Sequence, residues 1–150
     1  MSIEKFLKSD YTPDDSTCTE IEKLHKEGKS LAGVQLQKAD MRGAKLVNAD
    51  LQNADLTRAD FSDASMYGVN LEGANLFKAN FDGANLKAAN LKDCDLLGAD
   101  FSGTKLNNTE WGAEHKVINE KDAEKAFAEG NREKALEKYK EAEDIYRALK

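Results

Sequence analysis

Proline occurs once in the chain, at Pro13, and tryptophan once, at Trp111. Aromatic residues make up 7% of a composition that is 40% hydrophobic, so the apolar content lies in small and aliphatic side chains. Such a composition suits a thin, regular core better than a large globular one. Basic excess is also missing. Against 22 Lys and Arg stand 28 Asp and Glu, a net charge of −6, and a nucleic-acid binder would normally show a basic footprint. The acidity is spread along the chain, and no segment is a charged tail. Cys18 and Cys94 have no metal-ligand spacing and make no disulfide framework, so they read as structural thiols in a reduced, cytoplasmic setting. No apolar run approaches a membrane span, and the opening "MSIEKFLKSD" lacks the apolar stretch of a secretory signal.

Catalytic signals are equally scarce. His25 and His115 have no Cys or His partner at ligand spacing and read as surface histidines. Ser62, Ser65 and Ser102 lack a nucleophile-elbow context, and no glycine-rich phosphate loop precedes a helix. The sequence therefore predicts no enzyme, no cofactor and no metal.

What is present is a repeat. Counted in fives from Leu31 to Trp111, the 17 central positions hold Leu eleven times, Phe three times, Met twice and Trp once. Two residues before each centre, eleven of 16 positions are Ala; one residue before, eleven of 16 are Asp or Asn. Glycine recurs two residues after the centre, at 33, 43, 68, 73, 83, 98 and 103. No insertion breaks the phase. A period of five suits neither a helix, where five steps leave a net turn of roughly 140°, nor a strand, where an odd step changes face. It suits a polygonal coil with one side per pentad. The centre and the small residue two before it point inward, and the chain turns in the remaining positions. Gly, Asn and Asp supply corner freedom there, and the Asp and Asn side chains satisfy local backbone donors.

The number of sides follows from the aromatics. Phe61, Phe81 and Phe101 lie 20 apart with Met41 beneath them, and Leu36, Leu56, Leu76 and Leu96 form a second such ladder. Four pentads per coil align both; three do not. About four coils result, a tower roughly 20 Å tall at a spacing of about 4.8 Å. An Asp40, Asp60, Asp100 ladder with Asn80 between suggests calcium, but the Gly-Gly-x-Gly-x-Asp motif is missing and corner bonding accounts for these residues.

Over residues 31–111 the unit Ala-(Asp/Asn)-Leu-x-x resembles that of the pentapeptide-repeat family. The resemblance implies an all-β solenoid, a right-handed quadrilateral β-helix, occupying 31–113. Lys45 and Lys105 replace Asp/Asn, and Thr104 and Thr109 replace Ala, so the last coils are expected to be less regular.

Both ends of such a stack need covering. In the N-terminal cap, 1–30, Thr17 and Glu20 stand at capping-box spacing, Ile21 and Leu24 share a face and Gly28 is a stop, which predicts a helix over about 18–27. Residues 3–8 form a further turn with Phe6 and Leu7. After Trp111, suited to plug the last coil, 114–150 reads as a helix-turn-helix. Its "GNREKALEKYKEA" resembles the second half of a tetratricopeptide repeat, with Gly130, Ala135, Tyr139 and Ala142 at matching spacing. This hairpin caps the last coil, dimerises the chain or meets a partner, leaving monomer and homodimer both open.

Function then lies on the outer walls. On the second wall Lys38, Arg58 and Lys78 align beside Phe77 and Leu97, a basic ladder with an outward apolar pair; Val47 and Tyr67 make a smaller patch on the fourth. The inward core is represented by Leu36, Leu56, Phe61, Leu76, Phe81, Leu96, Phe101 and Trp111. The leading expectation is a non-catalytic module for an unidentified protein partner, binding neither nucleic acid nor membrane. The resemblance also implies an alternative, since some family members mimic B-form DNA and bind DNA gyrase, protecting it from quinolones. Those are long dimeric towers with strongly acidic walls. Here the array is short, and a basic ladder interrupts one wall.

Overall fold

One pentad, Leu56 to Asp60, shows how the backbone is satisfied. The Leu56 N–H donates to Asn75 O at 2.9 Å and the Arg58 N–H to Phe77 O at 2.8 Å, both in the following coil. Asp60 N–H reaches back to Ala39 O in the preceding coil at 2.9 Å, and Ala59 N–H closes a turn onto Leu56 O at 2.9 Å. The remaining donor, Thr57 N–H, goes to the Asp55 carboxylate at 3.1 Å. All five donors are used, which is what a narrow solenoid with little interior water requires. The computed structural model describes residues 2–111, and the inter-coil and turn bonds of this pentad recur along the coils from Leu31 onward.

Twelve parallel bridges join residues of successive coils, and every one spans 20 positions, from Gln35 with Asp55 to Asn90 with Glu110. Four pentads therefore close each circuit. Each wall is a stack of pentads: residues 35–39, 55–59, 75–79 and 95–99 make the second, the next five the third and the next five the fourth. The first wall is 50–54 and 70–74 with their counterparts above and below. The described coils contain no extended strand, only single-residue bridges. The solenoid expected as all-β is thus built of bridges and turns, without strands among the described residues. The turn takes two of every five residues, too many to leave room for a longer ladder.

Central side chains fill the interior. Leu36, Leu56, Phe61, Leu76, Phe81, Leu96, Phe101 and Trp111 are between 0% and 6% exposed. The Phe61 and Phe81 rings stack at 5.5 Å with 9° between planes, Phe81 and Phe101 at 5.6 Å and 5°, and Trp111 meets Phe101 edge-on at 82°. The alanines two before each centre are buried with them.

The corner conformation is independent of residue type. Two residues after every centre from Leu31 to Leu106 φ is positive, at Gly33 and Gly43 as at Lys38, Asn48, Asn53, Arg58, Asp63, Lys78, Ala88, Asp93 and Asn108. Side chains at these corners lean onto the next coil, so that Asn53 and Asp63 lie where a β-carbon on Gly73 and Gly83 would stand.

The last coils keep their ladder, correcting the expected irregularity, since Asn85 still bridges Lys105 and Asn90 bridges Glu110. The hydroxyls that replace Ala are put to use. Thr104 donates to Phe81 O and Thr109 to Leu86 O, each at 2.7 Å.

At the N-terminal end a short 3₁₀ turn, Glu4–Leu7, precedes a helix, α1, Thr17–Lys26. Phe6, Ile21 and Leu24 are fully buried in the same cluster as the coil leucines, whereas Leu7 is 44% exposed. The capping box is not formed. The N-cap is Ser16, without a side-chain cap bond. Thr17, the first helical residue, is buried and turns its hydroxyl to the preceding loop, accepting from Asp14 N–H at 2.8 Å and meeting Tyr11 Oη at 2.7 Å. Glu20 instead pairs with Lys5 at 2.6 Å. Groups of the N-terminal segment stand in for a preceding coil: Gln35 N–H donates to Phe6 O at 2.7 Å, Lys45 N–H to Glu22 Oε2 at 3.3 Å, and His25 Nε2 meets Val47 O at 2.8 Å. The hairpin expected over 114–150, with His115 and the proposed dimer contact, lies outside the described residues.

Candidate interaction walls

Sorted by wall, the ionisable residues of the coils separate by sign. The third wall carries Asp40, Asp60, Asp63, Asp82 and Asp100 against Arg42. The first carries Asp50, Glu72, Asp93 and Glu110 against Lys92. The second holds Lys38, Arg58 and Lys78 against Asp55 and Asp95, and the fourth holds Lys45, Lys87 and Lys105 with no acid. Acidic and basic walls thus alternate around the square.

The cations of the acidic walls are neutralised in place. Arg42 forks onto Asp40, with both nitrogens at 2.8 Å, and this bond holds the Asp40 carboxyl below its usual pKa. Lys92 pairs with Glu110 at 3.1 Å, which raises the ammonium pKa. Both pairs are exposed and contribute little to stability. Lys45, Lys87 and Lys105 form no ion pair among the described residues.

The second wall is knitted together by its predicted residues. Lys38 N–H donates to Thr57 O, Arg58 N–H to Phe77 O and Lys78 N–H to Leu97 O, at 2.8 to 2.9 Å. Phe77 is half-buried, because Arg58 Cζ stands 5.7 Å and Lys78 Nζ 5.4 Å from its ring centroid. These are cation–π distances, worth roughly 0.5–1 kcal/mol each at an exposed site. The sequence treats Phe77 and Leu97 as an equal apolar pair. In the structure the cations lie over Phe77, and Leu97 is the open member, 39% exposed.

The fourth wall is more open than sequence reasoning suggested. Val47 and Tyr67 are 44% and 47% exposed, and α1 leaves a groove beside them lined by Thr19, Glu22, Lys23, His25, Lys26 and Lys45. Sequence reasoning missed the lysines because they fall in two columns, 45 with 105 and 87 apart; adding charge over whole walls reveals them. Exposed large apolar side chains of the coils are Val47, Tyr67 and Leu97, all on the two basic walls.

Ser62 and the two cysteines are occupied structurally. Ser62 donates to Asp60 at 2.7 Å. Cys94 is buried and donates its thiol to Leu71 O at 2.9 Å, and burial pushes its pKa up to about 12. Cys18 is likewise raised to about 12, by partial burial and then by its bond to Glu22. Among the described residues no three His, Cys, Asp or Glu side chains gather as a metal set, and no helix is long and apolar enough to cross a membrane.

The family model described as pentapeptide repeats (8 copies) matches residues 35–73 and 70–108. Among solved structures the chain is similar to a pentapeptide repeat protein from the thylakoid lumen of Arabidopsis thaliana, at 30% identity over 63% of this chain and 72% of that one, with a TM-score of 0.48. It is similar to a pentapeptide repeat protein from Nostoc PCC 7120 at 27% identity, over 67% of this chain and 86% of that one, with a TM-score of 0.40. QnrB1, described as a plasmid-mediated fluoroquinolone resistance protein, matches at 20% identity over 55% of this chain and 58% of that one, with a TM-score of 0.39. No curated protein matches. The unbroken five-residue phase and the family match over its length lead to one conclusion: this chain belongs to the pentapeptide-repeat family.

Proposed function

We propose that the chain is a non-catalytic protein-interaction module of the reducing cytoplasm, a right-handed solenoid that works through its second and fourth walls. One observation carries this reading: the coil residues that expose large apolar side chains, Val47, Tyr67 and Leu97, sit on the two basic walls and on neither acidic one. Interfaces combine apolar anchors with a charged surround that sets orientation. On the second wall the contact residues are Lys38, Arg58, Phe77, Lys78 and Leu97. The interior offers no substrate pocket, because side chains fill it from Leu31 to Trp111.

The test is affinity capture from a cytoplasmic extract with the native protein, Leu97→Asp, Tyr67→Asp and the first-wall control Gln52→Asp. A partner kept by the control and lost by a wall variant supports the reading; identical capture by all four sinks it. DNA gyrase supercoiling is the companion assay. It stays unchanged at micromolar protein if the module reading holds, whereas inhibition, or protection from a quinolone, replaces it with DNA mimicry.

A further inference from the structure

We infer that the fourth wall, with the groove α1 leaves above it, docks an extended acidic protein segment carrying a central apolar side chain. The inference rests on the interaction-module reading and adds the chemistry of the partner.

Three observations converge. First, Lys45, Lys87 and Lys105 are unpaired among the described residues, while Arg42 and Lys92 on the acidic walls are both paired. Second, Val47 and Tyr67 stand open between these lysines, one coil apart, with Asn48 N–H bonded to Tyr67 O at 2.8 Å. Third, this wall gives up most of the bonds that the others keep, where Gln35 alone breaks the pattern among the described residues. Elsewhere an Asp or Asn before the centre accepts the N–H two residues on, as Asn75 does for Phe77 and Asp95 for Leu97. At 45 and 105 a lysine takes that place and at 65 a serine, so only Asn85 provides the bond, to Lys87 N–H at 3.1 Å. A lysine cannot accept that hydrogen bond. Local rules broken on one face of an otherwise regular repeat mark that face as functional.

Dimensions select the occupant. Lys45 and Lys105 are three coils apart, about 14 Å at the usual interstrand spacing, so an extended chain rising about 3.3 Å per residue crosses between them in four or five residues. At the top Lys23, Lys26 and Lys45 line the groove with one acid, Glu22, whose carboxylate is engaged by the Lys45 N–H and the Cys18 thiol, and His25 is bonded to Val47 O. The flanking walls are acidic, and charge is felt over about 8 Å at physiological salt. The attractive surface is therefore a strip one wall wide. A nucleic acid broader than this strip would bring phosphates against Asp60, Asp63 and Asp82 on the third wall. A single extended peptide keeps its carboxylates on the strip and places an apolar side chain over Val47 and Tyr67.

The experiment follows amide NMR shifts and fluorescence anisotropy on titrating the whole protein with a labelled dodecapeptide of four Glu-Glu-Leu units. The expected result is shifts concentrated at residues 45–48, 65–68 and 85–88, and affinity reduced at least tenfold in Lys45→Glu/Lys87→Glu. Arg58→Glu/Lys78→Glu should lose less than twofold. Tyr67→Ser, which keeps every charge, should weaken binding severalfold, showing that the apolar centre contributes. Circular dichroism of each variant reports its fold. The inference is overturned if the peptide does not bind or if shifts fall on the second wall; the latter leaves the interaction-module reading standing. It is also overturned if a single-stranded oligonucleotide binds the fourth wall more tightly, or if sedimentation shows self-association abolished by Lys45→Glu/Lys87→Glu, which makes a second copy the occupant.

Discussion

The Thr109 hydroxyl donates to the carbonyl oxygen of Leu86, 23 residues earlier and one coil away, at 2.7 Å. That carbonyl also accepts the Ala89 N–H at 3.1 Å, so the threonine adds a second, inter-coil bond to a turn already closed. Thr109→Val keeps the shape and removes the donor, and a buried hydrogen bond of this kind is worth about 1 kcal/mol. The urea midpoint, followed by the fluorescence of the single tryptophan Trp111, should fall accordingly. An unchanged midpoint would mean that shape alone holds this coil.

Ala88 has φ +58°. That conformation costs an L-residue roughly 1–2 kcal/mol, while glycine loses about 0.5–1 kcal/mol of extra chain entropy on folding. The two nearly offset, with the balance favouring the native state of Ala88→Gly by about 0.5–1 kcal/mol. Thermal denaturation should show a raised Tm; a lowered one would show that the coil imposes little strain at its corners.

The phenylalanine column supplies the next prediction. Phe81 stacks on both Phe61 and Phe101. Phe81→Ala should cost about 3–5 kcal/mol by leaving a cavity in a narrow core. Phe81→Leu, which places the commonest central residue there, should cost less than half of that. Chemical denaturation of the two variants compares them directly, and equal losses would contradict a closely packed column.

Asp14 accepts from Ser16 Oγ at 2.6 Å and from Ser16 N–H at 2.8 Å. These bonds hold its carboxyl below the ordinary pKa of 3.8. A depressed folded-state pKa gives stability above the unfolded value, lost as pH falls through the folded one. The Tm difference between native protein and Asp14→Ala should therefore be constant above pH 5 and narrow below about pH 4, where the unfolded carboxyl titrates first. A difference independent of pH would place the effect elsewhere.

Both thiols, with pKa about 12, should react slowly with a disulfide reagent at pH 8. Cys94, beneath the surface of the first wall, should react only as fast as the coils open. Rapid modification of Cys94 without unfolding would contradict its bond to Leu71.

The square was legible in the sequence because its physics is periodic: only inward side chains 20 apart can form columns, and Phe61, Phe81 and Phe101 announce them. Corner bonding by Asp and Asn was legible for the same reason. The left-handed corner was marked by the glycines and asparagines two after the centre, but that Lys38, Arg58 and Lys78 adopt it too was not legible, because neighbouring coils impose the conformation on whatever residue stands there. The role of Thr17 escaped because a threonine three residues before a glutamate fits a cap, while the contest with Tyr11 and Asp14 for its hydroxyl is decided in three dimensions. The covering of Phe77 followed from the reach of two flexible cations, which spacing alone does not convey.

Because each circuit consumes 20 residues, the tower lengthens without disturbance only by whole circuits. A single extra pentad after Val69 would leave every leucine facing inward while swinging everything downstream through a quarter turn. Lys87 would then arrive on the first wall and Asp82 on the fourth, scrambling the electrostatic faces of a protein that still folds. Surface identity here is thus far more sensitive to inserted length than the fold itself.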